Sequence, residues 1–126
     1  MITEYSRHEA GEAPGNDVDR FAEIGVDQDQ ALLYDEIGRF NKLFDQMHAV
    51  DNELRARGTQ ARLALLRLFD HPNMQVRLEA AKWSLGVAPE MARKVIQNIY
   101  DSKWYPQAGD AGMTLWNLDR GVFKPD

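Results

Sequence analysis

Few residues in this chain could carry chemistry, and their spacing does not assemble a reaction centre. Cys is absent from all 126 residues, which removes thiolate nucleophiles, thiolate metal ligands and disulfides together. There are three His residues, His8, His48 and His71. His48 has Asp45 and Asp51 three residues to either side. The trio lacks the Glu-x-x-His or His-Glu-x-x-His spacing of helical metal sites, so a solvated helix face is expected instead. His71 stands between Asp70 and Pro72, where a turn role is expected. Asp17/Asp19, Asp27/Asp29 and Asp35/Glu36 are adjacent or two apart and diverge on a helix, so none forms an acid–base pair. "GDAG" at 109–112 lacks the strand and the Lys of a phosphate loop, and no Ser sits in a nucleophile elbow. The expectation is a protein that is not an enzyme, with no catalytic residues, metal or cofactor.

Residues suited to binding are easier to find. The stretch "DSKWYPQAGD", 101–110, carries Trp104 and Tyr105 beside Pro106. Two readings are open for the rings. They pack down and close the end of the fold, or they stand out as aromatic anchors of the kind that dominate protein interfaces. On the second reading Trp104, Tyr105, Asp110 and Arg77 form the partner-binding set. An alternative set, Arg62, Arg67, Arg77, Lys82, Arg93 and Lys94, would make an anion or nucleic-acid face whose affinity falls steeply with salt. It lies in a basic segment: residues 55–103 hold nine Lys/Arg and four Asp/Glu, whereas 1–54 hold four and thirteen. The net charge of −5 weighs against nucleic acid. An acidic N-terminal half suits another protein, a basic one such as a nuclease toxin, because complementary charge speeds encounter.

The elements that must position these residues read as helices throughout. Residues 1–16 are rich in Gly, Pro, Ala and Glu and are expected to form a loose tail. Asn16 or Asp17 can cap a first helix with Val18, Phe21, Ile24 or Gly25, and Ala31 or Leu32 on one face and Gln28 as a polar break. Ile37, Phe40, Leu43, Phe44, Met47, Val50 and Leu54 form a continuous stripe over 34–57, ended by Gly58 after Arg55 and Arg57. Thr59 can cap a helix burying Ala61, Leu65, Leu68 and Phe69, which Pro72 stops near Asp70. Asn73 then caps a helix apolar on two faces, Val76/Ala80/Trp83/Val87 and Met74/Leu78/Ala81/Leu85, as a helix packed from both sides requires.

The pattern recurs after 31 residues: "TQARLALLRLFD" at 59–70 falls on "EMARKVIQNIYD" at 90–101. Ala80–Ala81 falls on Ala111–Gly112, and Leu85 on Trp116, which is therefore expected in the core. A period of this size means stacked helical hairpins. Three are expected, at about 17–57, 59–88 and 90–119 of a single domain over 17–126. The "GVFKPD" tail is expected to fold back through Phe123.

The run "ALLRLFDHPNMQVRLEAAKWSL" resembles a HEAT or armadillo-like repeat through Asp70, Val76, Arg77, Ala80, Ala81 and Leu85. In the second copy Gln107 and Ala108 replace the Val-Arg pair. More narrowly, "YDEIGRFNKLFDQM", "HPNMQVRLEAA" and "PQAGDAGMTLWNLDRGVFKP" resemble a bacterial family known as domain of unknown function 2019. The resemblance implies an all-α, short right-handed α-solenoid, and it implies no activity. Some HEAT-like proteins of this size are immunity proteins against toxins, and some HEAT-like repeats excise alkylated DNA bases, although three hairpins are few for that class. These two analogies give the role of an interaction module and its nucleic-acid alternative. No apolar run approaches the roughly 20 residues that span a bilayer, and the N-terminus has no signal-peptide core, so a cytoplasmic protein is expected.

Overall fold

In the computed structural model, residues 14–126 are described, and every regular element among them is helical. The helices are α1 (Pro14–Leu33), α2 (Ile37–Arg57), α3 (Thr59–Leu63, continuing as a 3-10 turn over Ala64–Leu68), α4 (Met74–Ser84), α5 (Pro89–Ser102) and α6 (Gln107–Asp119). Most of the expected tail, with His8, lies outside the described residues.

The local signals explain most of the boundaries. Pro72 and Asn73 separate α3 from α4 as expected, with Asn73 Oδ1 accepting from the backbone N–H groups of Gln75 at 2.9 Å and Val76 at 3.1 Å. Gly58 ends α2 at a φ of 106°, a conformation that side chains with a Cβ resist. Two capping expectations need correction. Helix α1 already begins at Pro14, where the missing proline N–H would have had no helical partner, and Asp17 lies buried inside it rather than ahead of it. Thr59 makes no capping bond, because Gly58 occupies the position before the helix and Thr59 is its first residue.

Helix α4 joins two apolar clusters. Val76 and Ala80 pack with Phe21, Ile24, Met47, Leu54 and Leu65 from α1, α2 and α3. Leu78, Ala81 and Leu85 pack with Ala92, Ile96, Ile99, Ala111 and Leu115 from α5 and α6. Each buried Leu or Ile stabilises the fold by about 1.5–3 kcal/mol relative to exposure, so the two-faced pattern of α4 is what unites the chain. Short turns set α1 beside α2 and α5 beside α6 as antiparallel neighbours. Helix α1 also lies directly on α4: a Cβ on Gly25 would come within 2.8 Å of Val76 Cγ2, so only glycine allows this approach.

The stripe on α2 is narrower than expected. Leu43, Met47, Val50 and Leu54 are buried, but Ile37 is 66% and Phe44 43% exposed. The four buried residues, with the partly buried Phe40 ahead of them, follow the alternating three- and four-residue spacing of one helix face, and Ile37 lies at the outer tip beside the α1–α2 turn. Positions 31 apart share their burial in the first helices of the last two pairs: Ala61 with Ala92, Leu65 with Ile96, Leu68 with Ile99. Trp116 breaks the correspondence. Leu85 is buried by α5; on the matching face of α6 the Tyr100 ring of α5 lies against Gly112, but Trp116 is left 55% exposed.

Candidate functional site

The aromatic pair Trp104 and Tyr105 follows Lys103, whose left-handed backbone ends α5. Ser102 Oγ accepts from the Trp104 N–H at 3.1 Å and donates to the Ile99 carbonyl at 2.6 Å, which fixes the turn. The rings do not pack down: Trp104 is 62% and Tyr105 64% exposed. Arg77 is half-buried in a crevice with Phe69, Val95 and Ser102, on the way to this loop. Asp110 is turned elsewhere, to the Lys82 ammonium at 3.1 and 3.2 Å.

Three of the six cations of the alternative set are bonded within the chain. Arg62 is buried and donates to the carbonyls of Asp126 and Trp83. Lys82 pairs with Asp110, and Arg93 with Asp119 at 2.8 Å. Arg67 and Lys94 are exposed. Of the histidines, His71 Nδ1 accepts from the Asn73 N–H at 3.0 Å, a bond within the turn. His48 stacks on Trp83 with ring centroids 5.6 Å apart. Asp51 is buried and bonded to Arg55, whose guanidinium this hydrogen bond holds above its usual pKa. Among the described residues no group of three or more His, Asp and Glu side chains is placed to hold a metal.

The residues that sequence reasoning missed form a buried polar ladder across α1, α4 and α6. Gln75, at its centre, donates to Gln28 Oε1 at 3.2 Å and to Glu79 Oε2 at 3.1 Å. Its own Oε1 accepts from Gln107 Nε2 at 2.9 Å. Gln107 also donates to Asp29, which accepts from Asn73 as well. At the other end Glu79 Oε1 accepts from the Trp83 indole N–H at 3.1 Å, and Lys82 Nζ lies 3.8 Å from Oε2. The available signal was a polar residue at a core position. Gln28 interrupts the apolar face of α1, and Gln107 falls 31 residues after the buried Val76.

Electrostatics in the ladder follow from burial. The Glu79 side chain is only 4% exposed, and loss of water pushes its carboxyl above the ordinary carboxylate range, against the pull of Lys82. Burial works against the charge on Lys82 too, but Glu79 and Asp110 outweigh it and raise the ammonium pKa. Glu79 and Lys82 line one side of a cavity of about 270 Å³, walled by Phe44, Trp83 and Phe123. Phe123 arrives there because the tail folds back, as expected, with Asp126 held by Arg55 at 3.1 Å and by Arg62 at 3.0 Å.

No curated protein matches the chain. A solved structure described as "Crystal Structure of the Protein RPA1889 from Rhodopseudomonas palustris CGA009" is 50% identical over 98% of this chain and 100% of that one, with a TM-score of 0.88. The family described as domain of unknown function (DUF2019) matches residues 16–119. A match over that span, carrying the whole of α2 to α6 and most of α1, means that the chain belongs to the DUF2019 family.

Proposed function

We propose that the chain is a short HEAT- or armadillo-like right-handed stack of three helical hairpins acting as a non-enzymatic protein-interaction module. The outer face of α6 is its docking surface. One observation carries this reading. The face of α4 that α5 and α6 cover, Met74, Leu78, Ala81 and Leu85, falls 31 residues later on Tyr105, Gly109, Gly112 and Trp116. Tyr105, Gly109 and Trp116 are exposed, and Met113 and Trp104 extend the apolar surface beside them. An end repeat in a stack is expected to turn a polar face outward. This one keeps apolar and small residues where the preceding repeat receives its neighbour, so it suits a helix of another protein.

The partner is taken to be basic, because the acidic surplus of residues 1–54 would speed encounter with a cationic protein. A toxin-neutralising, immunity-type protein is the specific form of this reading, by analogy of fold. The nucleic-acid alternative is the weaker one, since Arg62, Lys82 and Arg93 are each bonded within the chain. No activity is assigned, and a cytoplasmic place of action is the setting in which a cysteine-free chain of this kind would work.

The test is affinity capture from lysate of the source cells after nuclease treatment, comparing the wild type with Trp116→Ala and Trp104→Ala. A protein retained by the wild type and lost by both variants, with melting unchanged, supports the reading. Retention that disappears with nuclease, or that both variants preserve, refutes it.

A further inference from the structure

The cavity between α2, α4 and the tail is separate from the α6 face, and its chemistry defines an occupant. Its walls are aromatic on three elements: Phe44 from α2, Trp83 from α4 and Phe123 from the tail. Phe44 and Trp83 stand with ring centroids 5.9 Å apart, and His48 supports the Trp83 ring. Its charged members are Glu79 and Lys82, with Asp110 on the far side of the Lys82 ammonium. Glu79 and Asp110 both contact the Lys82 ammonium, and the surface left to the cavity is almost wholly apolar, so the rings set its character.

We propose that this cavity binds a compact organic cation, a methylated ammonium or guanidinium head group. Aromatic faces attract such cations through the ring quadrupole, and Glu79 at the wall favours a positive charge when it is ionised. An anion finds no comparable reception. The Trp83 N–H is already donated to Glu79, and the Lys82 ammonium already lies between two carboxylates. A neutral ligand of the same shape would match the rings but gain less from their quadrupole. Size points the same way, because a cavity of about 270 Å³ falls below the usual range for cofactor-sized ligands. It suits a single head group, free or borne on a side chain. Burial of Glu79 adds support, since a carboxyl whose ionised form lacks water gains most from an arriving cation.

The experiment titrates the whole chain with tetramethylammonium, methylguanidinium and the neutral isostere N-methylurea. It follows the Trp83 indole N–H and the Phe44 and Phe123 ring signals by NMR. The expected result is saturable shifts at these three residues, with methylguanidinium favoured over N-methylurea by roughly tenfold, the scale of a charge-assisted contact. Phe44→Ala, at a half-open surface position, should weaken cation binding by roughly fivefold through loss of one ring face. Glu79→Gln should remove the preference for charge, and if that variant fails to fold, Phe44→Ala decides alone. A capped Gly-Arg-Gly peptide identifies the source of the head group. Tighter binding than methylguanidinium points to an arginine on a protein, and equal binding to a free amine. No saturable shift, equal affinity for N-methylurea, or indifference to Phe44→Ala would overturn the proposal. Loss of the α6-face interaction would leave all these results unchanged.

Discussion

Replacing Gln75 by Leu tests whether the polar ladder holds α1, α4 and α6 together. The two side chains are similar in bulk, so packing changes little and the hydrogen bonds carry the difference. The wild-type amide makes bonds to Gln28, Glu79 and Gln107. Deleting it strips Gln28 Oε1 of the partner described above and leaves Glu79 Oε2 with Lys82 at 3.8 Å, while Gln107 keeps Asp29. Three lost bonds at about 1 kcal/mol each, plus about 1–2 kcal/mol for the stranded buried acceptors, give about 4–5 kcal/mol. The added apolar burial offsets about 1–2 kcal/mol, so the net loss is about 3 kcal/mol. In urea unfolding the midpoint should fall with the slope unchanged, and Tm should drop by about 10 °C. The double variant Gln28→Leu/Gln75→Leu should cost less than the sum of the two single changes, because it removes donor and acceptor together. A single variant as stable as the wild type, or strictly additive costs, would refute a coupled ladder.

Three further outcomes follow from other parts of the fold. Ala81→Arg should abolish cooperative melting, because the site is fully buried between α4 and the last two helices and offers a guanidinium no partner. Circular dichroism during heating checks it. Asn73→Ala should cost about 1–2 kcal/mol in urea unfolding, since it loses the cap bonds to Gln75 and Val76 and the side-chain bond to Asp29. Glu79 carries a pH signature. Its folded pKa lies above the ordinary value of a Glu carboxyl, about 4.5, so the folded state binds the extra proton between the two values. Its contribution is therefore fully present below about pH 4.5 and lost as pH rises through the folded pKa. The stability difference between wild type and Glu79→Gln, measured by urea unfolding across that window, should shift against the wild type as pH rises.

Much of the fold was legible along the chain. Pro72 and Asn73 mark a helix boundary through backbone chemistry that needs no tertiary partner, and the two apolar faces of α4 announce packing from both sides. The candidate sites were legible only in part. Trp104 and Tyr105 could be read as caps or anchors, and only the course of the chain after Lys103 puts both rings in solvent. Trp116 was misplaced because a repeat alignment transfers a residue's position but not its neighbours. The polar ladder escaped notice because Gln28, Gln75, Glu79 and Gln107 lie far apart in sequence and become partners only when three helices meet.

Helical content, most boundaries and the core of α3, α4 and α5 are legible in the chain itself. These depend on intrinsic backbone preference and on the 3.6-residue period, both of which act locally. The tertiary structure alone decided which face of α6 stays uncovered, which cations are already paired, and that Phe44, Trp83 and Phe123 surround one cavity. Those outcomes depend on how separate helices and the returning tail approach each other, a property of distances between side chains that no local pattern encodes.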